Sequence, residues 1–271
     1  MKLGELPVAA KVREKNSGVV FLVGEHGHAG YKGTTLVANN VIWQACLDAP
    51  EEDNPDERLH LTGYNYYPFS NLHQWLNAEG KDWYKPAHKH DAPPTEENIA
   101  KRPNFYDRHG YNAYAEKPGF LSWFGPVFRK AIYESDIPCV NSKQDSIEFI
   151  KVKAFLLSAA EAGIRNKDPL KEGTKIAVFN DFRNRYAAPS QDAVANSAWH
   201  PAYFTVDNMF WYWLRTPKFD DTGFTCYAHS VNPYSYKFSC CPWVGIRPAL
   251  NVNSDLPVEA SNNVRGLYLV G

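Results

Sequence analysis

No stretch of this chain approaches the roughly 18–20 consecutive apolar residues that a membrane-crossing helix needs, so membrane insertion is not expected. A basic excess is also missing. Lys and Arg total 29 against 30 Asp and Glu, for a net charge of −1. Without a positive stripe, neither nucleic acid nor an anionic membrane surface has long-range electrostatics to drive binding. The five cysteines, Cys46, Cys139, Cys226, Cys240 and Cys241, are odd in number and irregular in spacing. That pattern excludes a disulfide framework, and no Cys-x-x-Cys pair suggests zinc. The thiols are read as reduced, as in a protein made in a cytosol. Met1 to Pro7 lacks the apolar core of a signal peptide, so a role outside the cell would require another route, such as release within a phage particle. No Gly-x-Ser-x-Gly elbow and no Gly-x-x-x-x-Gly-Lys phosphate loop occurs. No cofactor is called for.

Aromatic residues are abundant: 8 Trp, 16 Tyr and 15 Phe in 271 residues. Two readings stand, a well-packed aromatic core and a binding surface, because Tyr and Trp offer large contact area with few torsions to freeze. The length suits one domain over 1–271 with a sizeable core.

Local patterns give an α+β reading of short strands, two helices and much loop. Val19–Val23 and Thr34–Ala38 are β-branched runs read as strands, and Val41–Trp43 reads as the hairpin partner of the second. Ser70 to Asn77 reads as a capped amphipathic helix: the Ser70 hydroxyl can accept a free backbone N–H, and Leu72, Trp75 and Leu76 share a face. Residues 79–118 are polar and Pro-rich, a long surface insertion of the kind that often carries function. Pro126 to Tyr133 is a second helix with Val127, Phe128 and Ile132 inward. Glu148 to Leu157 reads as a strand, followed by a capping box Ser158-x-x-Glu161 over one helical turn ending at Gly163. A short helix is expected near 180–187. Phe210–Arg215, Val244–Val252 and Leu267–Val270 read as strands, the last closing the sheet.

Tyr227, Tyr234, Tyr236, Phe238 and Trp243, spaced by Ser and Asn, compose residues 227–243 like an antibody paratope. Lys237 is the only Lys or Arg there, so binding by contact rather than by charge is expected. The competing reading turns alternate residues inward as one face of a strand. Trp213, Arg215 and Arg247 are read as structural, since a buried Arg must find acceptors or carboxylates. His26 with His28, and His88 with His90 and Asp91, are weighed as metal ligands and lack a clear third partner. The acidic run Glu51–Glu57 reads as a solvated loop rather than a Ca²⁺ site. No metal is therefore expected.

Trp213-Leu214-Arg215-Thr216-Pro217 followed by Gly245-Ile246-Arg247-Pro248-Ala249-Leu250 resembles the C-terminal signature of a bacterial and phage domain family of unknown function. Leu3-Gly4-Glu5-Leu6-Pro7-Val8, Gln74-Trp75-Leu76-Asn77, Pro118-Gly119-Phe120-Leu121 and Phe155 to Gly163 are similar to that family's motifs in the same order. The family looks like a branch of the C-type-lectin-like superfamily, which includes phage tropism determinants and the variable proteins of diversity-generating retroelements. The resemblance implies a C-type-lectin-like fold of small twisted antiparallel sheets, two helices and long loops. It implies a variable ligand-binding patch just before the closing Gly-x-Arg strand. Here that patch holds Tyr227, His229, Ser230, Asn232, Tyr234, Tyr236, Phe238, Ser239, Cys240, Cys241 and Trp243, and Ser235 lies within it. The implied function is a phage tail-tip or display protein contacting a protein or glycan on a cell surface, with a homo-oligomer, such as a trimer, expected. Two alternatives stay open: a formylglycine-generating type of enzyme using Cys240 and Cys241, and a structural virion subunit with its aromatics in an interface. The calcium motifs of sugar-binding animal lectins are absent.

Overall fold

The computed structural model describes residues 1–100, 111–165, 168–198, 202–228 and 235–271. It is a mixed α/β fold, rich in sheet, with few and short helices. In chain order the strands are β1 (Lys11–Glu14), β2 (Val20–His26), β3 (Thr34–Ala38), β4 (Trp43–Gln44), β5 (Ser135–Val140), β6 (Ile147–Val152), β7 (Ala154–Leu156), β8 (Tyr212–Pro217), β9 (Phe224–Ala228), β10 (Ser235–Phe238), β11 (Gly245–Ile246), β12 (Pro248–Val252), β13 (Val258–Ala260) and β14 (Leu267–Val270). The helices are α1 (Glu57–Thr62), α2 (Asn71–Leu76), α3 (Glu96–Ala100), α4 (Pro126–Ala131) and α5 (Gln191–Asn196).

A seven-stranded sheet has the order β13-β14-β1-β2-β3-β12-β7, and a five-stranded sheet the order β10-β9-β8-β11-β4. β5 and β6 form a separate hairpin. Sequence pattern explains position. β1 alternates, with Lys11 and Arg13 outward and Val12 and Glu14 buried, as a strand with one wet face requires. β3 and β12 lie mid-sheet and are buried at every residue, which suits their near-continuous apolar runs. β14 pairs in parallel with β1 and antiparallel with β13, so the last strand does close this sheet along the first.

Several local expectations change. Val41–Trp43 is no hairpin partner of β3: Trp43 and Gln44 form β4 and pair with β11 in the other sheet. The run 148–157 splits into β6 and β7, and 244–252 into β11 and β12, each half in a different sheet. Short-range pattern does not show that switch, because a single residue, Lys153 or Arg247, separates the two strands of each run. α4 keeps Phe128 and Ile132 inside but leaves Val127 58% exposed. Ser70 caps α2 as expected, its hydroxyl accepting from His73 N at 3.2 Å, but among the described residues five short helices replace the two anticipated. Near 180–187 the backbone makes 3₁₀ turns rather than an α-helix.

Most aromatic residues serve the core. Trp43, Trp75, Trp83, Tyr114, Phe120, Phe124 and Phe128 are buried in a hydrophobic cluster that also takes in Leu3 and Val270. The excursion after residue 78 is anchored by that cluster: Trp83 and Tyr114 stack with centroids 5.5 Å apart, and Ile99 of α3 is buried.

Candidate ligand-binding face

Within 227–243 the described residues are the end of β9, the whole of β10 and the turn that follows it. β9 and β10 pair antiparallel, with Tyr236 opposite Cys226 and Phe238 opposite Phe224. β10 forms the edge of the five-stranded sheet. The Phe224 and Phe238 rings meet across the strands with centroids 4.1 Å apart, a cross-strand aromatic pair of the sort that stabilises exposed sheet edges. Lys218 adds a cation, its Nζ 4.6 Å from the Phe224 centroid and 5.7 Å from that of Tyr236. Tyr236, Lys237, Phe238 and Trp243 are half-buried.

Beside this pair lies a cavity of about 310 Å³, with Glu57, Arg58, Leu61 and Thr62 of α1 on one side and Asp221, Phe224 and Phe238 on the other. Its position depends on the turn before β9. Asn65 Nδ2 donates to the Asp221 and Phe224 carbonyls at 2.6 and 2.7 Å, while Gln144 Oε1 accepts from Asp220 N at 2.8 Å. Gly223 is required there: a Cβ would lie 2.1 Å from the Thr62 hydroxyl oxygen. Thr62 O in turn accepts from Cys240 N at 2.8 Å, so α1 and the end of the hairpin are stitched together.

Not all of the anticipated patch faces outward. Tyr227 is only 8% exposed, and Ser239, Cys240 and Cys241 are at 1% or less. The surface assignment of these four is corrected. The chain folds back under the sheet after Phe238, where the Ser239 hydroxyl meets that of Thr225 at 2.9 Å and the Cys240 thiol points to Leu61 O. His229, Ser230, Asn232 and Tyr234 lie outside the described residues. Reading the sequence missed Lys218, Phe224, Asn65 and the α1 pair Glu57 and Arg58. Phe224 and Lys218 had a signal in the aromatic-rich 217–243 segment. α1 had none, since its residues look like solvated loop until Asp56 caps them by accepting from Arg58 N.

Trp213, Arg215 and Arg247 are interior. Trp213 Nε1 donates to Ala45 O at 2.8 Å. Arg247 has four acceptors and no carboxylate: Ala38 O, Arg185 O, Asn184 O and the Tyr212 hydroxyl, all within 3.1 Å. Of these histidines, three have partners within the protein. His26 meets Thr34 Oγ1 and Leu6 O, His28 meets Glu25, and His88 faces the buried Glu51 at 3.1 Å. Glu51 is thus not part of a solvated loop. Burial pushes its carboxyl up, and those of Asp48 and Asp91 beside it. Among the described residues no group of three His, Cys, Asp or Glu is placed to hold a metal ion, and no helix is long and apolar enough to cross a membrane.

Fold and face together define a sheet-rich α/β domain with a half-buried aromatic edge beside a cavity. The chain belongs to the family described as a domain of unknown function (DUF6273), whose model matches residues 32–254. No curated protein and no solved structure matches it.

Proposed function

We propose that this chain is a C-type-lectin-like display protein that binds a cell-surface ligand, protein or glycan, through the β9–β10 edge, as a phage tail-tip or retroelement-diversified protein does. The observation that carries the reading is the Phe224–Phe238 pair, flanked by Tyr236 and Lys218, opening on a 310 Å³ cavity at a sheet edge. Cavities of this size accept a small group or a side chain from a partner. Arg58 and Lys218 balance Glu57 and Asp221 there, which favours recognition by shape and hydrogen bonds over net charge.

Burial of Cys240 and Cys241 supports binding over cysteine catalysis, since a nucleophilic thiol needs access and a base. If the stretch is diversified, natural substitutions fall on Tyr236, Phe238 and Trp243 and on 229–234, and spare Ser239, Cys240 and Cys241. A homo-oligomer, such as a trimer, would multiply weak contacts into avidity. The test is retention of the labelled protein on bacterial cell-envelope preparations. Tyr236→Ser and Phe238→Ser are expected to cut retention ~10-fold or more, as loss of an aromatic hot spot does, with the melting temperature little changed. Undiminished retention in both variants would overturn the proposal.

A further inference from the structure

The opposite edge of the five-stranded sheet carries a different surface. β4 is that edge, and α5 packs against it, with Trp43 Nε1 donating to Asn196 O at 3.2 Å. Between them and the turn after β1 runs a groove of two connected lobes. One is about 360 Å³, reaching Ser17, Val20, Asn40 and Ser190; the other, about 210 Å³, reaches Trp43, Trp75, Lys117 and Pro118. The lobes share Ile42, Trp123, Asp192 and Asn196, so Trp123 stands where they join.

The floor is apolar and rigid. Trp123 is half-buried, lies edge-on to Trp75 with centroids 5.7 Å apart, and Trp75 is in turn 5.9 Å from Trp43. Asn16 Nδ2 fixes the Trp123 backbone by donating to its carbonyl at 3.0 Å. The rim is polar and partly uncommitted. The Asp192 carboxylate and the Asn196 Oδ1 accept no hydrogen bond among the described residues; Asn196 uses only its Nδ2, toward Asp192 O. Lys117 lines the smaller lobe and holds its ammonium over the Trp43 ring at 4.8 Å. Asp192 and Lys117 cancel in charge.

A ligand matching this groove has an apolar face to lie on indole, hydroxyls at its edge that donate to Asp192 and Asn196 and accept from Lys117, no net charge, and length enough for two lobes. We infer that the Trp123 groove is a second binding site, for a neutral sugar chain of about two rings, one per lobe. Aromatic faces prefer the positive edge of a C–H or N–H bond, which the apolar face of a sugar ring presents, and lobes of this size fall within the range of small-ligand sites. The inference does not depend on the β9–β10 reading.

The test is isothermal titration of the intact chain with cellobiose, maltose, lactose and diacetylchitobiose. At least one is expected to bind saturably at millimolar concentration. Trp123→Ala and, on the exposed face of α5, Asp192→Ala are each expected to weaken it by ~10-fold or more, whereas Phe149→Ser, on the exposed side of β6 and outside both candidate sites, leaves it unchanged. Asp192→Ala removes no side-chain hydrogen bond or ion pair among the described residues, and an unchanged melting temperature of that variant separates lost binding from misfolding. Absence of binding by all four sugars would overturn the inference. So would binding undiminished in both groove variants, or saturable binding of tetramethylammonium in place of the sugars, which would mark a cation cage.

Discussion

Arg215 and Glu161 meet in a two-pronged ion pair sealed from water: Nη1 donates to Oε2 at 2.6 Å and Nη2 to Oε1 at 2.9 Å, with neither side chain exposed. Glu161 also accepts from the Tyr31 hydroxyl and from Ser158 N. Arg215 spends its remaining donors on the Pro138, Leu156 and Glu172 carbonyls. One guanidinium on β8 thus ties together β5, β7 and the turn that carries the capping box, and β8 is the strand against which the β9–β10 hairpin is laid.

Removing either partner strands a buried charge, which typically costs ~3–5 kcal/mol. Glu161→Ala and Arg215→Ala are each expected to lose about that much in urea unfolding. The double variant should lose clearly less than the sum, because both single losses include the same orphaned charge. Additive losses would show the pair to be energetically independent.

His73 responds to pH in a predictable direction. Burial lowers its pKa to about 4, its ring packs against Tyr67 at 5.1 Å, and Nδ1 has no partner. The unfolded chain takes up a proton near pH 6.5, but the folded chain resists until about pH 4. The stability due to the neutral ring is therefore present above ~6.5 and is lost as pH falls toward 4. Unfolding free energies at pH 7 and pH 4.5 should differ less in His73→Gln than in the parent, and NMR should show the ring neutral at pH 5. A ring that titrates near 6.5 would contradict this.

All five cysteines are buried, and burial pushes the Cys46 and Cys139 thiols up. A protonated, inaccessible thiol is a poor nucleophile. Under native conditions Ellman's reagent is expected to titrate essentially no thiol at pH 7.5, and all five after denaturation in guanidinium. Rapid native reaction at Cys240 or Cys241 would revive the enzymatic reading.

How much of this could be read from the chain alone varies with the range of the cause. The Ser70 cap, the Ser158–Glu161 capping box and the apolar run of β3 are local, set by residues within one turn or one strand, and each appears where its pattern lies. The candidate face was half legible. The aromatic spacing marked Tyr236 and Phe238, but nothing local distinguishes them from Cys240 and Cys241, two and three residues after Phe238, which the return of the chain puts inside.

The sequence by itself determined which segments could be strands and capped turns, that the net charge is −1, and that no apolar run is long enough for a membrane-crossing helix. These follow from short-range sterics, hydrogen-bond arithmetic and composition. Only the tertiary structure decided that β11 and β12 part into different sheets, that Arg215 finds Glu161 across 54 residues, and that α1 joins Asp221, Phe224 and Phe238 around one cavity. Those contacts depend on where distant segments are brought together, and no local pattern encodes that.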